Sequence, residues 1–395
     1  MHVRYPVWIR RTTAPGAEAF ALLFTLESLT RALLATLIPL ESYRLLGDAL
    51  SVSVLFFVIS LFGLGANLVM PWLVRRTARR WVYSMGALML AAAPLLLSRE
   101  SLPTLAAGMI LRVIGTVALT VCLSLYIMDH IDRHDLVRSE PMRVFYSAGA
   151  WVLGPALGVY LATRFDLRVA YSASTAAALA LFAYFWFLRL TETIVPARPG
   201  AKTPGPIGNL RRFLAQPRLR LAWAIAVGRN AWWGMFFVYT PIFAVANGLG
   251  AETGGLIVSV GSGFLFLLPL WGRALRRYGL RRVFTIAFTL VGATTLAAAL
   301  TVGTPWVAAA LFVIAAGLMT VLDAGGNVLF MRAVRKRERR EMTPVYSTYR
   351  DAAVIGPPGV FALLLNVFAL PAVFVASAAF MLGLSRLSRY IPKSM

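Results

Sequence analysis

The sequence predicts an all-α membrane protein of twelve transmembrane helices, arranged as two pseudo-symmetric six-helix bundles. Three observations predict it. The 395 residues are 59% hydrophobic and only 14% charged, where a soluble domain has about half apolar and a quarter charged residues. Apolar runs of membrane length fall at about 17–39, 49–71, 82–98, 103–128, 144–163 and 168–190, then at about 219–244, 253–275, 283–302, 305–331, 345–367 and 369–388. Finally, two stretches of the first half return in the second at nearly one offset.

The apolar excess comes first, because no aqueous globule of this length can bury it. The runs have the length of helical spans, about 20 residues each. Alternating ten-residue strands, the mark of an outer-membrane barrel, are not seen. Twelve spans leave short loops and no room for a large extramembrane domain. The single cysteine, Cys122, allows neither a disulfide framework nor a thiolate metal cluster. Met1 to Pro15 carries arginines but no short apolar stretch ending in a cleavage site, so the first span is expected to remain in the membrane.

An even number of spans places both termini on one side, and charge decides which. The termini and even-side loops hold 31 arginines and lysines, including the runs Arg75–Arg80, Arg273–Arg282 and Arg332–Arg340. The opposite loops hold 4, namely Arg44, Arg99, Arg164 and Arg168. This positive-inside bias predicts cytoplasmic termini in a multi-pass protein of the inner (cytoplasmic) membrane. The net charge of +23 is thereby a topology signal, and nucleic acid is not an expected partner.

The longest polar stretch, 191–218, contains Pro196, Pro199, Pro204 and Pro206 with Gly200, Gly205 and Gly208. It reads as a flexible cytoplasmic linker between an N-terminal bundle, 1–190, and a C-terminal bundle, 219–395. The bundles repeat one another. Pro71 to Arg80 aligns with Gly272 to Arg282 at an offset of about 201, and Val152 to Gly158 aligns with Val354 to Gly359 at 202.

With these motifs in place, nearly the whole chain resembles the major facilitator superfamily. The basic loop after span 2 resembles that family's loop between its second and third helices, and Gly272 to Arg282 resembles the second copy. Where the family pattern has an Asp that helps latch the cytoplasmic gate, this chain has Arg75 and Arg276, and Pro71 stands for the first Gly. Leu111-Arg112-Val-Ile-Gly115 resembles the family's intramembrane Arg motif, one residue short. Gly149 to Gly158, with Gly154 and Pro155, resembles the Gly-Pro motif common among proton antiporters, echoed by Gly356 and Pro357. The resemblance implies a transporter of the secondary, gradient-driven type with a leaning to export. From the residues alone, the span-5 glycines admit close helix packing with no directional meaning, and Pro155 removes a ladder hydrogen bond.

Ionisable residues inside apolar spans each cost about 2.5–3.5 kcal/mol to insert, so each calls for a partner or a task. Glu27 lies near mid-span in span 1 with Arg31 four residues on, on the same helical face. They are a proton-binding carboxylate beside an arginine that substrate can engage, or a fixed ion pair. Arg112 in span 4, and Arg229 with Asn230 in span 7, are placed to grip a carboxylate or phosphate. Alternatively they pair structurally, Arg112 with Glu27 or Arg229 with Asp323. Asp323 in span 10 shares a face with Asn327, with Gly325 and Gly326 between them, and is the second proton candidate. In span 11, Tyr346, Tyr349 and Arg350 share a face suited to an anionic or aromatic solute, although Arg350 is near enough to the span end to snorkel. Trp233 is the span-7 aromatic expected at the cavity.

The best enzymatic candidate is Asp129-His130-Ile-Asp132-Arg133-His134, where the two histidines have metal-like spacing. In the loop after span 4, with Arg133 inside the cluster, it reads first as a solvated loop helix, and no nucleotide loop, Ser-His-Asp set or catalytic carboxylate pair accompanies it. The sequence therefore predicts a non-enzymatic, monomeric secondary transporter without a cofactor. Its substrate-binding residues are Arg31, Arg229, Asn230, Trp233, Tyr346, Tyr349 and Arg350, and its proton-coupling residues are Glu27, Arg112 and Asp323. Gly154, Pro155, Gly158, Gly356, Pro357, Arg75 and Arg276 serve gating and packing. The expected substrate is a small anionic or zwitterionic solute, driven by a proton or other ion gradient. A multidrug or lipophilic-cation antiporter is the alternative, and a membrane enzyme at His130 and His134 the alternative of another class.

Overall fold

The computed structural model describes residues 17–130, 133–188, 206–335 and 338–392, and every described element is helical. In the first half, α1 (Ala17–Leu33) and α2 (Leu37–Leu46) form one interrupted span. They are followed by α3 (Ala49–Arg76), α4 (Arg79–Leu97), α5 (Leu102–His130), α6 (Arg133–Arg164) and α7 (Leu167–Phe187). After α8 (Pro206–Leu214), the second half runs α9 (Pro217–Ala246), α10 (Gly250–Gly263), α11 (Leu268–Tyr278) and α12 (Leu280–Leu300). It continues with α13 (Pro305–Gly325), α14 (Val328–Ala333), α15 (Arg339–Ser347), α16 (Tyr349–Leu365) and α17 (Pro371–Ser388).

Each of the twelve apolar runs coincides with a helix or an interrupted helix, and among the described residues ten are long and apolar enough to cross a membrane. The two that fall short have visible causes. α9 carries Arg218, Arg220, Arg229 and Asn230, and α16 has 17 residues. Of the expected linker, residues 206–214 form α8, while 191–205 lie outside the described residues. Arg212 of α8 pairs with Glu341 of α15 at 3.2 Å, and Gln216 donates to Glu338 at 3.3 Å.

Three interruptions shape the spans. Pro39 has no N–H to offer the carbonyl of Ala35, and its ring crowds that oxygen, so helix 1 breaks at 34–36. α2 then ends on Gly47 at φ +82°, whose N–H bonds Tyr43 O at 2.9 Å. Asp48 caps α3 by accepting from Ser51 N at 2.7 Å. In span 8, Pro269 has the same effect on the turn before it, and residues 264–267 tighten into a 3₁₀ turn between α10 and α11. In span 10, α13 stops at Gly325 because Gly326 takes φ +37°.

The buried cores respect the two halves. One extends over residues 213–391 and includes Trp232 stacked on Phe236 at 5.2 Å and Phe312 against Phe374 at 4.6 Å. Two smaller ones fall within 20–185. Within the first half, Gly154 and Gly158 let α6 meet α1. A Cβ on Gly154 would lie 2.5 Å from Ala32 Cβ, and one on Gly158 would overlap the Leu33 carbonyl oxygen.

Between the halves, α6 packs on α10 and α3 on α16. The offset of about 201–202 carries α3 onto α10–α11 and α6 onto α16, so these two seams are symmetry copies. In the first, the Ala156 N–H donates to Ser259 Oγ of α10 at 2.9 Å. In the second, Asn67 donates to Asp351 at 2.9 Å and Ser60 to the Val354 carbonyl at 3.1 Å. The arginine-poor end carries further ties. Ser53 and Tyr239 share a hydrogen bond of 2.6 Å, Thr163 donates to Glu252 at 2.7 Å, and α2 packs on α9.

Candidate functional site

Five charged residues within the spans form two groups, one per half. In the first, Glu27 is fully buried in α1 and accepts from Arg31 at 3.3 Å, the i,i+4 geometry that helical spacing dictates. Arg31 keeps 30% of its side chain exposed, so it is held at one end and open at the other. Arg112 of α5 does not reach Glu27. It donates to the Arg31 backbone carbonyl at 3.4 Å, and its Nε has no hydrogen-bond partner among the described residues. This half therefore brings two guanidinium groups near one carboxylate, with only Arg31 paired to it.

In the second group, Arg229 of α9 pairs with Asp323 of α13 at 3.1 Å, and Trp233, one turn on, donates its indole N–H to the other carboxylate oxygen at 2.9 Å. Both oxygens of Asp323 are thereby engaged by one helix. Arg229 and Asp323 keep 13% and 17% of their side chains exposed. Asn230 turns to its own helix and donates to the Ala226 carbonyl at 2.8 Å.

Aromatic rings join the two groups. The Arg31 guanidinium lies over Trp151 of α6 at 5.8 Å, Trp151 meets Phe237 of α9 at 5.3 Å, and Phe237 stacks with Trp233 at 5.7 Å. A continuous path of side chains therefore runs from Glu27 in one half to Asp323 in the other. Nearer the arginine-rich end, Tyr346 and Tyr349 are brought together, with ring centroids 5.0 Å apart, and Arg350 Nε donates to the Tyr349 hydroxyl at 3.3 Å. The two tyrosines are buried while Arg350 is exposed.

Two expectations about shared faces need correction. Asp323 and Asn327 do not share a helical face, because the turn at Gly326 ends α13 between them; Asn327 instead accepts from the Tyr346 hydroxyl at 3.2 Å. Tyr346 and Tyr349 do not belong to one helix either, since the chain turns at Thr348 between α15 and α16, where Trp223 donates to the Thr348 hydroxyl at 3.1 Å.

A model of the Major Facilitator Superfamily matches residues 20–357. The chain belongs to the major facilitator superfamily. A comparison with curated proteins finds no match. Among solved structures, a POT family transporter in complex with a thioalcohol-conjugated peptide is similar at TM-score 0.75 and 14% identity, covering 94% of each chain. The peptide transporter POT in complex with sulfate gives 0.73 and 13%, over 96% of this chain and 95% of the other. The nucleoside transporter NupG gives 0.69 and 13%, over 95% and 98%. At these identities the likeness is one of fold. Membership makes the chain a transporter rather than an enzyme.

As a major facilitator chain it departs from the pattern at the gate loops. Arg276 is exposed and makes no ion pair among the described residues. The side chains of Arg75, Asp129, His130 and His134 lie outside the described residues. The repeated Gly-Pro segment is not used alike in the two halves. Gly154 is pressed against α1, whereas Gly356 has nothing within 4 Å, and the close approach falls to Gly359 on Phe57 at 3.0 Å. Pro155 lies on the seam, its carbonyl 3.2 Å from where a Cβ on Gly255 would stand, while Pro357 lies in α16 beside the other seam. Sequence reasoning passed over Trp151 and Asn67. Trp151 sits inside the Gly149–Gly158 segment, and Asn67 is a polar residue in the apolar run of span 2, which was the available signal.

Proposed function

We propose that this major facilitator protein moves a small organic anion or zwitterion across the inner membrane by alternating access, in exchange for protons. The observation that carries the reading is the presentation of Arg31 and Arg229, one from each half, at the two ends of the Trp151–Phe237–Trp233 path. A guanidinium grips carboxylate or phosphate through paired N–H donors. Arg112 adds positive charge behind Arg31. The aromatic faces between the arginines favour an organic solute over an inorganic ion, and Arg350 with Tyr349 stands toward the arginine-rich end.

The same geometry supplies a route to coupling. An anion that takes Arg31 draws it from Glu27, leaving the carboxylate to exchange its ion-pair partner for a proton. Asp323 stands in the same relation to Arg229. The Gly154-Pro155 segment, by its resemblance to antiporters, supports proton exchange and export.

The test is a thermal-shift screen of the purified protein against matched panels of organic anions and lipophilic cations at pH 6 and pH 8. A ligand at 100 times its Kd stabilises by about 2.7 kcal/mol. Stabilisation by anions, abolished in Arg31→Ala, is the expected result. Stabilisation by cations, abolished in Glu27→Gln, would replace the anion reading with a multidrug-type exporter. For coupling, Glu27→Gln is expected to flatten the pH dependence of uphill transport in proteoliposomes. If Glu27→Gln and Asp323→Asn both concentrate substrate with normal pH dependence, neither carboxylate carries the proton.

A further inference from the structure

At the arginine-rich end of the spans, far along α9 from Arg229, a crevice of about 410 Å³ opens between the start of α9 and the end of α17. Its walls are Leu221, Ala224 and Leu387, and its rim carries Arg218, Arg220 and Tyr390. Both arginines are exposed, and neither makes an ion pair among the described residues. The neighbouring acids are engaged elsewhere, Glu341 by Arg212 and Glu338 by Gln216. Leu387 and Tyr390 are also exposed. This crevice shares no residue with the transport site.

Its chemistry is graded along the span. Leu221, Ala224 and Leu387 lie deeper along α9 and α17, Tyr390, of a residue type enriched at membrane interfaces, follows the end of α17, and Arg218 and Arg220 stand in the first turn of α9. A soluble anion needs only the last of these features. A molecule with a phosphate at one end and hydrocarbon at the other uses all three. We propose that the crevice binds an anionic phospholipid, with its phosphate between Arg218 and Arg220 and its acyl chains running along the groove between α9 and α17.

The experiment uses the full chain, purified and delipidated in a neutral detergent, with retained lipid counted by native mass spectrometry. Phosphatidylglycerol and phosphatidylcholine are added separately, and thermal unfolding is followed in parallel. Each arginine near a lipid surface contributes about fivefold in affinity, so the pair contributes about 25-fold. Wild-type protein is expected to retain phosphatidylglycerol over phosphatidylcholine, and Arg218→Gln/Arg220→Gln to lose about 25-fold in that retention. Ala224→Trp fills the groove and leaves both charges, and it is expected to lose the lipid as well. This second variant keeps the test decisive if the double variant folds poorly. Arg273→Gln/Arg277→Gln removes as much charge at another part of the same end and is expected to change retention less than twofold. Equal loss in that control, or unchanged retention in both crevice variants, would overturn the proposal. So would equal stabilisation by inorganic phosphate alone, which would mark a soluble-anion site.

Discussion

Asp323→Asn will destabilise the protein by about 3 kcal/mol or more and abolish uphill transport. Asp323 is the counter-charge for Arg229 in a span interior where only 13% and 17% of the two side chains are exposed. Removing one member of a buried pair leaves the other charge uncompensated, at about 3–5 kcal/mol. Asparagine cannot repair the site, because Asp323 accepts from Arg229 on one oxygen and from Trp233 on the other. One of these donors would face an amide NH₂. The double variant Arg229→Leu/Asp323→Leu removes both charges, and it is expected to recover stability to within about 1–2 kcal/mol of wild type. Transport should stay lost in the double variant. Recovery of transport with stability would reduce the pair to a structural tie and remove Arg229 and Asp323 from the proposed cycle.

Gly158→Ala will have an effect of similar size by a different cause. The added methyl would overlap the Leu33 carbonyl oxygen, and backbone cannot rotate aside as a side chain can. α6 must retreat from α1, which costs at the upper end of the overpacking range, about 3 kcal/mol. Gly356→Ala supplies the control, since a Cβ there meets nothing within 4 Å and its effect is expected to stay below about 1 kcal/mol. Thermal unfolding of the two variants side by side reads the difference. Equal midpoints would mean that the α1–α6 seam is looser than its geometry indicates.

That contrast also marks where sequence reasoning stops. The Gly-Pro repeat is plain at an offset of 202, and it places both segments in equivalent helices. What each glycine touches depends on how the neighbouring span bends, and hydropathy reports the length of a span without its bends. The break at 34–36 follows from Pro39 and was readable in principle, yet the run 17–39 hid it because the turn is as apolar as the helix. Glu27 with Arg31 was legible because i,i+4 spacing fixes the contact. Arg229 with Asp323 was legible as one of the few ways to balance charge within the spans. The pair Asn67–Asp351 spans 284 positions, and no local periodicity carries such a contact. Trp151 was invisible for the same reason, since its partners lie on α1 and α9 and its own segment records only that it is aromatic.

The bond from Ala156 to Ser259 has a mechanical meaning. Pro155 breaks the regular ladder of α6 beside it, and the peptide N–H next in line is satisfied by the other half of the molecule. At 2.9 Å such a bond tolerates rotation about its own line but fails when its ends part by an ångström. Two bodies that tilt against each other separate most at their extremities and least at the line about which they turn. If the halves rock as proposed, the bond beside Pro155 is expected to outlast those nearer the span ends, Thr163 to Glu252 and Ser53 to Tyr239, and residues 156 and 259 would then serve as the fulcrum.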